Sequence, residues 1–231
     1  MAFVFGLLPA PPKAPCYRFP VPEIRDLTIF EMPAHGGSQT AANRTRMDID
    51  TIVMHTSEGK QSPAYGPAHW FADKRAPASA HYSVYADGRI YRSVPDRDIA
   101  WHAGNSAVNR RSLGIEIQAK GAEANWTEVQ LFQAARLVAA LSKTYQIPID
   151  RQHIVGHVEV SGPGGHTDPG PHWPWDRFLG LVKQVSKGTV SEAAAAAKIA
   201  PLGIPVWGWA LGLGTIALIA FARLGRRDNN W

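Results

Sequence analysis

The sequence predicts an α/β domain followed by a membrane-spanning helix, on three observations. Short β-branched runs recur between residues 47 and 160, and one long stretch among them has helical periodicity. Near the C-terminus, Ile199 to Ala222 is a run of 24 uncharged residues. At 231 residues and 45% hydrophobic composition, the chain has room for one compact domain plus extensions.

Seven of the 18 prolines fall within the first 33 residues. Proline lacks a backbone donor and resists helix, so residues 1–46 are expected to form an irregular proline-rich extension. The apolar opening "MAFVFGLLPAPP" has no basic n-region and meets Pro9 early, unlike a signal peptide. The runs "IDTIVMHTS", "HYSVYADGRIYRSV", "SLGIEIQ" and "HIVGH" follow as strands, and Asp87-Gly88 inside the second marks a tight hairpin turn. "TEVQLFQAARLVAALSKTYQIP" carries Thr127 and Gln130 at capping-box spacing. Leu131, Ala135, Val138 and Leu141 then recur at helical intervals until Pro148, so this is an amphipathic helix packed on the sheet. A second helix is expected after Trp175, with Phe178, Leu181 and Val182 as its buried face.

Residues 186–204 resemble a small-residue linker. Residues 205–223 are expected to be a transmembrane helix, with Trp207 and Trp209 at one interface and a short basic tail, 224–231, beyond it. The arginines after the span slightly favour a cytoplasmic tail and a domain on the outer side of the membrane. The formal charge of +5 falls to +3 once Arg223, Arg226, Arg227 and Asp228 are set aside. With no basic run in the domain, nucleic acid is a disfavoured partner. A single cysteine, Cys16, excludes an intrachain disulfide and a Cys-rich zinc knuckle.

The stretch "HIVGHVEVSGPGGHTDPGPHWPW" concentrates four histidines and an aspartate among glycines and prolines. A catalytic zinc needs three N or O donors and an open position. His55 ends one strand, His157 ends another, and His166 and Asp168 lie in the Gly/Pro loop, so these donors can converge if the two strands stop at one sheet edge. Spacing alone leaves His166 and Asp168 both open as the third ligand. No HExxH is present, which excludes a simple zincin. His69, His81 and His153 are expected to be structural, and His172 a surface loop residue. Glu116, flanked by Ile115 and Ile117, is a carboxylate on an otherwise apolar strand. It must be paired, with Arg110 or Arg111, or serve as a general base with a raised pKa.

"IVMHTSEG", "SAHYSVYADGRIYRSV", "WHAGNSAVNRRSLGIEIQ" and "VGHVEVSGPGGHTDPGPHWPW", in this order and spacing, resemble the type 2 N-acetylmuramoyl-L-alanine amidases, relatives of the peptidoglycan recognition proteins. The likeness spans residues 47–182, within a domain bounded at 47–185. It implies a central mixed β-sheet flanked by helices and a zinc in a groove along the sheet edge. It further implies His55, His157 and Asp168 as the zinc ligands and Glu116 as the catalytic acid and base. His166 stands where many members carry the lysine that steadies the oxyanion, a departure that makes this step depend on pH. Trp101, His102 and Asn105 of "WHAGN" are expected to line the groove. The implied reaction is hydrolysis of the amide between the lactyl group of N-acetylmuramic acid and L-alanine of peptidoglycan, by a phage lysin or an envelope-associated amidase. The competing expectation is a membrane-anchored recognition module that binds peptidoglycan without cutting it, which the complete ligand set argues against. Intracellular recycling of muropeptides by a soluble enzyme is disfavoured by the expected span.

Overall fold

Two six-residue strands with opposite chemistry on their two faces organise the domain. The computed structural model describes residues 27–189, apart from residues 60, 63, 163 and 164. In chain order its elements are β1 (Ile29–Glu31), β2 (Gln39–Thr40), β3 (Thr51–Thr56), α1 (Pro67–Ala72), β4 (Tyr82–Val84), β5 (Ile90–Arg92), β6 (Ile99–Ala100) and α2 (Ser106–Arg111). Then come β7 (Ser112–Ile117), α3 (Glu128–Tyr145), β8 (Ile154–Gly156), α4 (His157–Val160) and α5 (Trp175–Ser186).

Six strands form one sheet in the order β1-β5-β4-β7-β3-β8, and β2 pairs with β6 separately. β4, β7, β3 and β8 are mutually parallel, while β5 runs antiparallel to β4 and parallel to β1. The sheet is therefore mixed, with helices packed on it, as the family resemblance implies. β4 and β5 are the two arms of the hairpin that turns at Asp87-Gly88.

Side chains alternate along a strand. Ile52 and Met54 of β3, and Leu113, Ile115 and Ile117 of β7, enter one continuous core with Leu131, Leu137, Val138 and Leu141 of α3 and Phe178, Leu179 and Val182 of α5. The other face of the same strands presents Val53 and His55, and Ser112, Gly114 and Glu116. One face thus holds the fold and the other is free to hold chemistry. Helix α3 starts where its capping box predicts: Thr127 Oγ1 accepts from Gln130 N at 3.1 Å, and Gln130 Oε1 accepts from Thr127 N at 2.8 Å. In α5, Phe178 and Val182 are buried as expected, but Leu179 is more buried than Leu181.

Two expectations are corrected. Part of the extension read as irregular is β1, an edge strand added to β5; at three residues it is too short to show periodicity. The transmembrane helix at 205–223 is not supported, because no helix among the described residues is long and apolar enough to cross a membrane. That segment, most of the linker and the tail lie outside the described residues, as do residues 1–26. Absence of charge was a weaker signal than it looked, since the run also carries Pro201, Pro205 and four glycines, all poor helix residues.

Leu137 is fully buried between α3 and the sheet. Leu137→Ala is expected to lower unfolding free energy by about 2–5 kcal/mol in urea titration, whereas a loss under about 1 kcal/mol would mean α3 is not clamped to this core.

Candidate metal centre

β7, β3 and β8 are neighbours, so their carboxyl ends bring Glu116, His55 and His157 into one row. Glu116 and His55 are register partners across the parallel pair. His157 is the first residue of α4, directly after β8. The chain turns sharply there because Glu159 Oε2 accepts from Gly156 N at 2.6 Å.

The Gly/Pro loop supplies the third group. The carbonyl of Asp168 accepts from Val158 N at 2.9 Å, which ties the loop to α4. Its other side presses on Gly121, where a Cβ would stand 2.4 Å from the carbonyl oxygen of Pro169, so only glycine permits the approach. Trp173, 3% exposed, anchors the end of the loop in the core with its ring 5.1 Å from that of Trp126 and 5.3 Å from that of Phe178.

The result is a carboxylate gripped by two imidazoles. Asp168 Oδ2 lies 3.1 Å from His55 Nδ1, and Asp168 Oδ1 lies 3.0 Å from His157 Nδ1. One donor atom from each of the three falls within 4.8 Å of the others. Ligands at about 2.0–2.1 Å from a tetrahedral zinc are about 3.4 Å apart, so this is the edge length of a coordination shell. Of the two residues that spacing left open, Asp168 is the one whose carboxylate lies with His55 and His157. His166 stacks on the His157 ring at 4.0 Å and 19°, 62% exposed, with Nδ1 3.8 Å from Asp168, and it does not join the cluster.

The electrostatics suit a divalent cation. Burial alone would raise the Asp168 carboxyl, but hydrogen bonds with His157 and His55 hold it well below the usual range, so it is ionised. Burial lowers the His55 pKa despite Asp168 beside it, which keeps the imidazole neutral and able to coordinate. Three protein donors on one side leave the cavity side open, the pattern of a catalytic rather than a structural site. The cavity is about 750 Å³, and its lining includes Glu58, Glu116, Tyr65 and Trp70 but no lysine or arginine among the described residues.

Glu116 is not salt-bridged. Arg111 pairs with Asp50 at 2.8 Å instead, and Glu116 Oε2 is buried with no partner among the described residues. Burial, then the charges of Asp168 and Glu58, push its pKa up to about 8. Sequence reasoning missed several neighbours. Glu58 accepts from Thr56 Oγ1 at 2.6 Å and from Gly121 N at 2.8 Å, and so ties the end of β3 to the loop after β7 at the rim. Tyr65 and Trp70, 53% and 37% exposed, form one wall; α1 was too short to stand out in the sequence.

The "WHAGN" residues divide. His102 reaches the site, but as a buried ring against His55, with His102 Nδ1 3.1 Å from His55 Nε2. Trp101 and Asn105 are not among the residues around this cavity. Trp101 Nε1 donates to Thr40 Oγ1 at 3.0 Å on the outer surface. Asn105 is consumed as the N-cap of α2, accepting from Ala107 N and Val108 N. His81 is buried and structural, its pKa pulled down to about 3 by burial and then by Arg44. His69 meets the Tyr85 hydroxyl at 2.8 Å and His153 meets Asp150 at 2.7 Å, both away from the cluster.

The family described as N-acetylmuramoyl-L-alanine amidase matches residues 45–171. A protein named 1,6-anhydro-N-acetylmuramyl-L-alanine amidase AmpD, from Haemophilus influenzae, is 35% identical over 133 residues, 54% of this chain and 70% of that protein. Its namesake from Citrobacter freundii is 37% identical over 141 residues, 58% of this chain and 70% of that one. Among solved structures, a selenomethionine derivative of AmpD is similar at a TM-score of 0.52 and 26% identity, covering 66% of this chain and 93% of its own. A mutant endolysin from Bacillus subtilis, at a TM-score of 0.53 and 24% identity, covers 68% and 99% and shares the fold.

The raised Glu116 pKa fixes a sign. Between its unfolded value of 4.5 and about 8, the metal-free folded state keeps a proton that the unfolded chain has released, so stability falls as pH rises through that window. The cost at pH 8 is on the order of a few kcal/mol. In chelator, Glu116→Gln is therefore expected to be more stable than wild type at pH 8 and equal to it near pH 4.5 in urea unfolding. A difference that does not change with pH would contradict the burial of this carboxyl.

Proposed function

The chain belongs to the N-acetylmuramoyl-L-alanine amidase family, and on that premise we propose that it is a zinc-dependent hydrolase of peptidoglycan. The bond cut is the amide between the lactyl group of N-acetylmuramic acid and L-alanine of the stem peptide. The observation that carries this reading is the Asp168 carboxylate held between His55 Nδ1 and His157 Nδ1, with Glu116 as the cross-strand neighbour of His55.

His55, His157 and Asp168 would hold the zinc. When bound, it supplies Lewis acidity toward the carbonyl and water, and its charge draws Glu116 back toward the ionised form at neutral pH. The residues of the chain do the rest. A water in the cavity would meet the Glu116 carboxyl, which lines it. Glu116 takes one proton from that water as its oxygen adds to the lactyl carbonyl. It then passes the proton to the alanine nitrogen as the C–N bond breaks, leaving a free carboxyl and a free amine. His166, exposed above the His157 ring, is placed to donate an N–H toward the carbonyl oxygen as negative charge grows there. Tyr65 and Trp70 offer aromatic faces for a sugar ring or the stem peptide.

The two AmpD relatives, named for 1,6-anhydro-N-acetylmuramyl-L-alanine, favour a second reading of the substrate: released muropeptide fragments rather than intact wall. The objection based on a membrane span no longer stands. Digesting intact sacculi and anhydro-muropeptides in parallel, with mass spectrometry of the products, separates the two.

The purified protein is expected to carry one zinc per chain and to release stem peptides with a new alanine amine. Chelator should abolish turnover and added zinc restore it. Glu116→Gln is expected to lower kcat by about 10²-fold or more while keeping its zinc. Unaltered turnover in that variant would remove Glu116 from the mechanism, and a protein unable to take up zinc would instead be a binding module.

A further inference from the structure

We propose that Arg151 is a positioning residue: it pins the turn that presents His157 to the helix that closes the Asp168 loop, and so sets how far apart these two ligands stand. The inference rests on the zinc reading above but concerns residues outside the ligand set and outside the cavity lining.

His157 and Asp168 ride on different segments. His157 opens α4 directly after β8, whereas the loop that carries Asp168 ends at Trp175, the first residue of α5. Beside the ligands the two segments share one backbone bond, from Val158 N to the carbonyl of Asp168, and one bond is a pivot rather than a clamp. Arg151 supplies a second tie. On the α5 side its guanidinium lies over the Trp175 ring, 3.3 Å from the centroid. On the α4 side Nη2 donates to Glu159 Oε2 at 2.5 Å, while Nη1 donates to the carbonyl of Ile154 in β8. The same Glu159 oxygen accepts from Gly156 N at 2.6 Å, the bond that turns the chain just before His157. One planar cation thus touches β8, α4 and α5 at once.

The position calls for arginine. A guanidinium stacks through its face while its edge donates in two directions, whereas a lysine ammonium has neither a flat face nor a fixed fork. The turn that bears Arg151 is itself closed, since Asp150 Oδ1 accepts from Gln152 N at 2.9 Å and from His153 N at 3.0 Å. The pinned segments are also in close contact. A Cβ at Gly156 would stand 2.8 Å from Pro169 Cδ and 3.3 Å from Trp175 Cζ2, so glycine admits the loop and arginine holds it there. The Arg151 and Glu159 side chains are 34% and 40% exposed, a setting in which an ion pair adds little to global stability. Its effect therefore falls on the local geometry of the ligands and not on the fold.

Chelator competition and amide hydrogen exchange test the pin together. Arg151→Ala is expected to weaken zinc binding by about 10–100-fold while shifting the melting temperature of the metal-free protein by less than about 4 °C. Without metal, the Val158 amide that donates to Asp168 should exchange about tenfold faster or more in that variant, with the α3 amides unchanged. Arg151→Lys keeps the charge but not the fork and should recover little of the affinity. Glu159→Gln keeps an acceptor for Gly156 N and should recover most of what Glu159→Ala loses, a pair that carries the same test if Arg151→Ala does not fold. Arg177→Ala removes a comparably exposed ion pair between α5 and α3, with Glu128, and should leave both zinc affinity and Val158 exchange unchanged. A folded Arg151→Ala that retains either the wild-type zinc affinity or the wild-type Val158 exchange, or an Arg177→Ala that loses as much, would overturn the proposal. If the wild-type protein takes up no zinc, the zinc reading fails by itself, and Val158 exchange still decides the pin.

Discussion

The carboxylate of Asp168 between two imidazole Nδ1 atoms is the contact on which the site depends. It joins residues 113 and 11 positions away in sequence, at 3.1 and 3.0 Å, inside a protein interior. Closing such distances costs chain entropy, and no single contact offsets that cost. The sheet does so collectively. Because β3 and β8 are parallel neighbours with their carboxyl ends at one edge, His55 and His157 arrive together once the core face of Ile52, Met54 and Ile154 is buried. The loop is then locked to that edge by the Val158–Asp168 backbone bond, the close approach of Gly121 and the anchor of Trp173. Core and site are two faces of the same strands, so a change on one is felt on the other.

The same enclosure divides the two carboxyls into different roles. Asp168, met by two ring nitrogens, stays ionised well below the usual range, as a ligand must. Glu116, buried, with no donor to its Oε2 among the described residues and repelled by Asp168 and Glu58, is pushed up to about 8, where it can carry a proton in both directions. Environment, not residue type, separates ligand from base. Glu58 belongs to this balance as well, since it ties the rim together and adds negative charge to a cavity whose lining has no lysine or arginine among the described residues.

The alternation of β3 and β7, the capping box at Thr127 and the hairpin at Asp87-Gly88 could all be read from sequence, because each is local and periodic. His55, His157 and Glu116 could be named as candidates from their places on strands, but the choice of Asp168 over His166 came only from motif likeness, since it depends on which side chain the folded loop turns inward. β1 and α1 were invisible at three and six residues, too short for a period. The members of "WHAGN" take different places, which their sequence order could not separate. One of its members, Asn105, caps a helix, another, Trp101, faces outward to Thr40, and only His102 turns inward. The supposed membrane span was inferred from lack of charge, which measures insertion cost but not helix formation.

X-ray absorption at the zinc edge of the purified protein tests the central claim most directly, because it reads the ligand atoms themselves. Two imidazole nitrogens with oxygen donors, all at about 2.0–2.2 Å, are the predicted shell. A sulfur scatterer at about 2.3 Å, which only Cys16 or a methionine could supply, or a third imidazole in place of the carboxylate, would contradict it.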